Sequence, residues 1–212
     1  MFEELRKIGI VPVVSIDDAE NALPLAAALW KGGLSCVEVT FRTAAAERSI
    51  ALIRNAYPDM TILAGTVLNK DQADAAIKAG ADIIVAPGLN TRMAEYCLER
   101  KYPYIPGVCT PSEIETAMEY GLRVLKFFPA KASGGLKMLA ALHAPYGDIR
   151  FMPTGGIGIE DVREYLSKDY ILCVGGSWIA STSLINEGRF DEIKRNAAEA
   201  SASVRKIRQD SL

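Results

Sequence analysis

Eight short runs with strand character recur along the chain, with helix-like stretches between them. This alternation restricts the fold more than any other feature. The runs are IVPVVSI (10–16), CVEVTF (36–41), TILAGT (61–66), DIIVA (82–86), YPYIPG (102–107), VLKFF (124–128), RFMPT (150–154) and ILCVGG (171–176). Between them lie amphipathic segments such as DDAENALPLAAALWKGG, AAERSIALIRNAY, KDQADAAIKAGA and TPSEIETAMEYG. Their apolar residues keep helical spacing, and several stop at glycine, as helix C-termini commonly do. Strands separated by helices pair in parallel and are covered on both faces. Eight units in 212 residues take about 26 residues each, which predicts an α/β fold of the compact (β/α)8 TIM-barrel type. A doubly wound open sheet is the alternative, but its first strand–helix turn carries GxGxxG and VSIDDAEN does not. No linker or low-complexity run divides residues 1–212, which read as one domain. MFEELRKIG is expected as a short helix on the barrel floor and the charged tail from Phe190 as the last helix.

Within that frame the residues of VLKFFPAKASGG (124–135) pose a question. Lys126 stands among valine, leucine and two phenylalanines, where burying an uncompensated charge costs several kcal/mol, roughly. Either it reaches outward to water, or it works as an amine nucleophile. Strand periodicity favours the second. Leu125 and Phe127 take the helix-facing side, so Lys126 faces the interior, as Glu38 does between Val37 and Val39. Glu38, Thr40 and Arg42 share one face, and Met152 and Thr154 another. Active sites of such barrels lie at the C-terminal strand ends, where Gly65-Thr66 and Pro87-Gly88 also fall. A carboxylate and an amine there form either a buried ion pair or an acid–base couple.

An ordinary lysine, with a pKa near 10.4, is neutral in about one molecule in 2,500 at pH 7. Burial brings catalytic lysines down to roughly 7–8. A neutral amine adds to a ketone and gives an iminium, an electron sink for breaking the adjacent carbon–carbon bond. Glu38 would take the departing hydroxyl proton, and Arg42 offers a planar fork of donors for a keto-acid carboxylate. PTGGIG after the seventh strand and VGGSW after the eighth place paired glycines in the two loops that frequently bind phosphate in barrels. The anionic end of a phosphorylated small molecule is therefore expected near Gly155, Gly156, Gly175, Gly176 and Ser177.

Other chemistries lack their parts. The single histidine, His143, precedes the seventh strand, so neither a multi-histidine metal site nor a Ser-His-Asp triad can be drawn. Cys36, Cys97, Cys109 and Cys173 make no CxxC pair and read as reduced, mostly core residues. A formal net charge of −2 without a long basic run argues against nucleic-acid binding. The start of the chain lacks the apolar core of an export signal. The longest uncharged stretch, 170–186, is too short and polar to span a membrane comfortably. The expected setting is cytoplasmic, with no membrane partner. Lys101, Lys137 and Lys168 read as solvated charges, while Lys131 is close enough to touch the pocket rim.

EVTFRT, AGTVL, PGVCTPSE, LKFFPA, FMPTGGI and VGGSW, in order over nearly the whole chain, resemble the KDPG/KHG aldolases. These act on 2-keto-3-deoxy-6-phosphogluconate and 4-hydroxy-2-oxoglutarate. The resemblance implies a homotrimeric (β/α)8 barrel, class I Schiff-base chemistry with no metal or other cofactor, and pyruvate as one product. It implies Lys126 as the imine lysine, Glu38 as the proton shuttle and Arg42 on the pyruvate carboxylate. Thr66, Pro87 and Phe128 would line the pyruvate site. Thr154 would contact the hydroxyl-bearing carbon and influence stereochemistry, and the glycines with Ser177 would hold phosphate. The chain departs from the family pattern at Phe41, at Ala86 before Pro87-Gly88, and at Lys131, where an acidic residue is frequent. The galactonate epimer is an alternative substrate. A phosphosugar isomerase or synthase, or a phosphate-binding barrel without imine chemistry, is the rival class.

Overall fold

A computed structural model describes residues 1–209; residues 210–212, the end of the expected 1–212 domain, lie outside the described residues. The order is α1 (Phe2–Ile8), β1 (Ile10–Val14), α2 (Ala22–Lys31), β2 (Cys36–Thr40), α3 (Ala46–Ala56), β3 (Thr61–Gly65) and α4 (Lys70–Ala79). Then come β4 (Ile83–Val85), α5 (Thr91–Glu99), β5 (Tyr104–Ile105), β6 (Gly107–Val108), α6 (Pro111–Glu119), β7 (Val124–Phe127) and α7 (Gly135–His143). The chain continues through β8 (Arg150–Pro153), α8 (Val162–Leu166), β9 (Val174–Gly176), α9 (Thr182–Asn186) and α10 (Phe190–Gln209). Single 3-10 turns precede α2 (Ala19–Asn21) and α8 (Ile159–Asp161).

Local chemistry sets the helix limits. Thr110, Pro111 and Glu113 start α6 as a capping box: the Glu113 carboxylate accepts from the Thr110 N–H at 2.9 Å, and the Glu113 N–H donates to Thr110 Oγ1 at 3.4 Å. Asn69 caps α4 through the Gln72 N–H, and Gly80 ends it at φ 96°, a left-handed turn that costs glycine least.

All strand pairs are parallel, in a six-stranded sheet ordered β5-β4-β3-β2-β1-β9 and a three-stranded sheet ordered β6-β7-β8. The run expected at 102–107 thus divides at Pro106, which has no N–H to give. Its carbonyls still alternate: Pro103 and Ile105 accept from Ile84 and Ala86, while Pro106 and Val108 accept from Lys126 and Phe128. On the far side, isolated bridges Phe151↔Ile171 and Thr154↔Gly175 connect the β8 segment to the β9 segment. The expected strand at 171–176 is regular only over its last three residues. The architecture is an α/β fold with a curled parallel sheet.

Two apolar layers follow from strand alternation. Val37, Val39, Leu125 and Phe127 pack with the helices, whereas Val11, Cys36, Leu63, Ile83, Val85, Ile105, Met152 and Cys173 pack with one another inside the curl. Leu5 of α1 is wholly buried in that inner layer, as a floor-closing helix requires. Burying one such leucine is worth about 1.5–3 kcal/mol. The four cysteines are free, and Cys36, Cys97 and Cys173 are buried. Burial pushes the Cys97 thiol up to about 11. No helix among the described residues is long and apolar enough to cross a membrane.

Candidate active site

Glu38 and Lys126 both point into the inner layer, as the alternation required. Lys126 Nζ donates to Glu38 Oε1 at 3.0 Å, and the two side chains are 5% and 0% exposed. The second carboxylate oxygen, Glu38 Oε2, is buried without a hydrogen-bond partner. An orphan acceptor of this kind is costly to leave unmade and is available for a proton. Register puts Glu38 beside Val13 on one side and Leu63 on the other, and Lys126 between Gly107 and Met152.

Lys126 Nζ lies 5.5 Å from the centroid of the Phe128 ring, and Phe128 lines a cavity of about 550 Å³ at the C-terminal strand ends. Arg42, Thr154, Gly155, Gly156, Gly175 and Ser177 line the same cavity, so most of the expected site residues converge there. Arg42 is exposed at its mouth. Thr154 Oγ1 is buried and, like Glu38 Oε2, has no partner. Thr66 and Pro87 stand just past the ends of β3 and β4, outside the lining of this cavity. Thr66 takes φ 56°. A β-branched residue seldom adopts that backbone, and it stores about 1–3 kcal/mol of strain, of the kind that gathers at functional sites.

The glycines do different jobs. Gly155 and Gly156 adopt φ 107° and 78°, and a Cβ on Gly155 would press on the Ala130 nitrogen at 3.3 Å. The Thr154↔Gly175 bridge occupies the Gly155 N–H, whereas the N–H groups of Gly156 and Ser177 have no backbone acceptor among the described residues, which leaves two donors for an anion. A Cβ on Gly175 would fall 2.3 Å from Thr154 Oγ1. Gly176 is buried, and its missing Cβ makes room for the Trp178 ring, which a Cβ would meet at 1.7 Å.

Val13, Ile157, Gly158, Glu160, Trp178 and Ser181 also line the cavity, and sequence reasoning did not single them out. The first strand and the residues after PTGG already marked the neighbourhood of Val13 and Glu160. Only the folded loops show that these side chains reach the cavity. The Ser181 hydroxyl is occupied with capping α9, accepting from Leu184 N–H at 3.3 Å. His143 sits at the C-terminus of α7 with its ring stacked on Tyr170 at 4.3 Å, away from this site. Another cavity of about 550 Å³ lies among Arg6, Ser167, Lys168, Asp169 and Arg208 and shares no lining residue with the first.

Known proteins resemble the chain over most of its length. The sequence pattern of the family described as "KDPG and KHG aldolase" matches residues 1–196. A 2-dehydro-3-deoxy-phosphogluconate aldolase of Haemophilus influenzae is 47% identical over 199 residues, covering 94% of each chain. A KDPG aldolase of Legionella pneumophila, solved with pyruvate captured at low pH as a covalent carbinolamine intermediate, superposes with a TM-score of 0.89. It is 36% identical and covers 93% of this chain and 97% of its own. The Zymomonas mobilis 2-keto-3-deoxy-6-phosphogluconate aldolase, solved with 3-phosphoglycerate, gives 0.86 at 36% identity, with 95% of both chains covered. The chain belongs to the KDPG and KHG aldolase family.

Proposed function

We propose that this protein is a class I aldolase that cleaves 2-keto-3-deoxy-6-phosphogluconate to pyruvate and glyceraldehyde 3-phosphate through an imine on Lys126. The observation that carries the reading is the Lys126–Glu38 hydrogen bond, 3.0 Å long, dry, and next to a cavity rich in anion donors. Glu38 accepts the amine's proton along that bond. Lys126 Nζ then adds to the C2 carbonyl carbon, and Glu38 returns the proton to the carbinolamine hydroxyl, which leaves as water and gives an iminium with Glu38 ionised again. Glu38 takes the C4 hydroxyl proton as the C3–C4 bond breaks, and the bond's electron pair flows toward the iminium nitrogen. The resulting enamine takes a proton at C3, and hydrolysis of the iminium releases pyruvate and the free amine.

The remaining residues fit around that sequence. Arg42 binds the carboxylate, with Thr66, Pro87 and Phe128 beside the pyruvate unit and Thr154 against the C4 hydroxyl. Gly155, Gly156, Gly175, Gly176 and Ser177 form the phosphate end, an assignment supported by the N–H groups of Gly156 and Ser177, which have no backbone acceptor among the described residues, and by the place of Gly155, Gly156, Gly175 and Ser177 on the cavity wall. Cleavage of 4-hydroxy-2-oxoglutarate to pyruvate and glyoxylate needs the same imine and no phosphate, and is proposed as a second activity. The hydrogen bonds on both flanks of Pro106 and the two bridges from β8 toward β9 support closure of the sheets into one eight-stranded barrel, a single domain. We further infer a cytoplasmic homotrimer, which sedimentation and fractionation test. For the activity, pyruvate release from the phosphorylated substrate is measured for wild type and Lys126→Ala. Release by wild type alone supports the reading, and full release by the variant ends it.

A further inference from the structure

Lys131 belongs to the loop between β7 and α7, yet it is bonded chiefly to the loop after β8. Its backbone N–H donates to the Gly155 carbonyl at 3.0 Å. Its side chain then runs across Gly156, where a Cβ would lie 3.1 Å from Lys131 Cβ. Its ammonium ends 2.7 Å from Asp161 Oδ2 and 3.9 Å from Glu160 Oε1. Asp161 Oδ2 also accepts the Gly158 N–H at 2.8 Å. One side chain therefore ties together the segment that presents Gly155 and Gly156 to the cavity.

Charge makes the contact matter for ligand binding. Glu160 lines the cavity and folds back over Gly158, whose Cβ position is 2.4 Å from Glu160 Oε2. Without Lys131, Glu160 on the cavity lining and its neighbour Asp161 would be two uncompensated carboxylates beside the proposed phosphate end. Like charges at that range oppose binding, and a rim charge acts through the association rate and its salt dependence. With Lys131 in place, Asp161 is neutralised by a close pair and Glu160 is drawn toward a cation.

We propose that Lys131 is a positioning and specificity residue for the phosphorylated end of the substrate: it pins the Gly155–Asp161 loop and offsets the charge of Glu160. The proposal rests on the phosphate assignment made above. It predicts a loss confined to phosphate recognition, with the imine chemistry at Lys126 untouched.

The test compares wild type, Lys131→Met, Lys131→Arg and Lys131→Met with Glu160→Gln. Three quantities are read: KM and kcat on the phosphorylated substrate, calorimetric affinity for inorganic phosphate, and the rate of borohydride trapping with pyruvate. Lys131→Met should raise KM and weaken phosphate binding by about tenfold while kcat and pyruvate trapping stay within about twofold. Lys131→Arg, which keeps the cation, should stay near wild type, and adding Glu160→Gln to Lys131→Met should recover part of the loss. Unchanged KM and phosphate affinity in Lys131→Met would overturn the proposal, as would an equal loss in pyruvate trapping. Wild-type protein that binds no phosphate would instead overturn the phosphate assignment, while wild-type protein that traps no pyruvate would overturn the aldolase reading.

Discussion

Gly65 is glycine because the Glu38 carboxylate fills the space its side chain would need: a Cβ there would sit 2.2 Å from Glu38 Oε1. The two are neighbours across β2 and β3, where Thr40 pairs with Gly65 and Glu38 with Leu63. The absence of a side chain on one strand thus sets the position of the Glu38 carboxylate on the next. Gly65→Ala would push Glu38 off Lys126, and a displacement of this size costs about a hundredfold in rate. Steady-state kcat/KM should fall by that factor while circular dichroism reports an intact fold.

The buried pair should behave asymmetrically under mutation. Lys126→Met leaves Glu38 alone in a dry interior, and breaking such a pair costs about 3–5 kcal/mol. Replacing both, as Lys126→Met with Glu38→Leu, should return most of that stability while activity stays absent, because the apolar pair leaves no charge unpaired. Urea unfolding of the single and double variants measures both effects.

Thr154 Oγ1 is buried with no partner, so removing the hydroxyl should not destabilise the fold. Thr154→Val should keep or raise the urea midpoint. Its cost falls on stereochemistry: the ratio of kcat/KM for the gluconate and galactonate epimers should move toward one. An unchanged ratio would remove Thr154 from control of the C4 hydroxyl.

The Lys131–Asp161 tether carries a defined pH window. Burial works to raise the Asp161 carboxyl, but the hydrogen bonds from Lys131 and the Gly158 N–H, with the lysine charge, outweigh it and hold it below its ordinary value. The Asp161 hydrogen bond first, then nearby acidic charge, holds Lys131 above its ordinary value despite desolvation. A depressed carboxyl stabilises the fold above its unfolded pKa, near 3.9, and that contribution is lost as pH falls through the folded value. A raised lysine stabilises below about 10.4 and loses its contribution as pH rises through the folded value. The difference in urea midpoint between wild type and Asp161→Asn should therefore stay level from about pH 6 to 9 and narrow below about pH 4.

Much of the site was legible in the sequence because period-two alternation assigns faces wherever one polar residue interrupts an apolar strand. Glu38 between Val37 and Val39, and Lys126 between Leu125 and Phe127, could be aimed inward without coordinates. The paired glycines located the loops of the cavity but not their separate reasons. Gly176 serves the Trp178 ring and Gly175 serves Thr154, contacts that alternation does not describe. Pro106 interrupts the ladder because it lacks a donor, yet its carbonyl still pairs, so the run looked uniform in one dimension. The Lys131–Asp161 pair joins two loops after different strands, and only the folded arrangement brings them within 2.7 Å.

The proposed chemistry turns on a covalent imine between Lys126 Nζ and a keto acid. Purified protein incubated with pyruvate and borohydride, then digested and analysed by mass spectrometry, tests it directly. One reduced pyruvyl adduct per chain is expected, on the peptide containing Lys126 and absent from Lys126→Ala. No adduct, or an adduct on another lysine that persists in the variant, would contradict it.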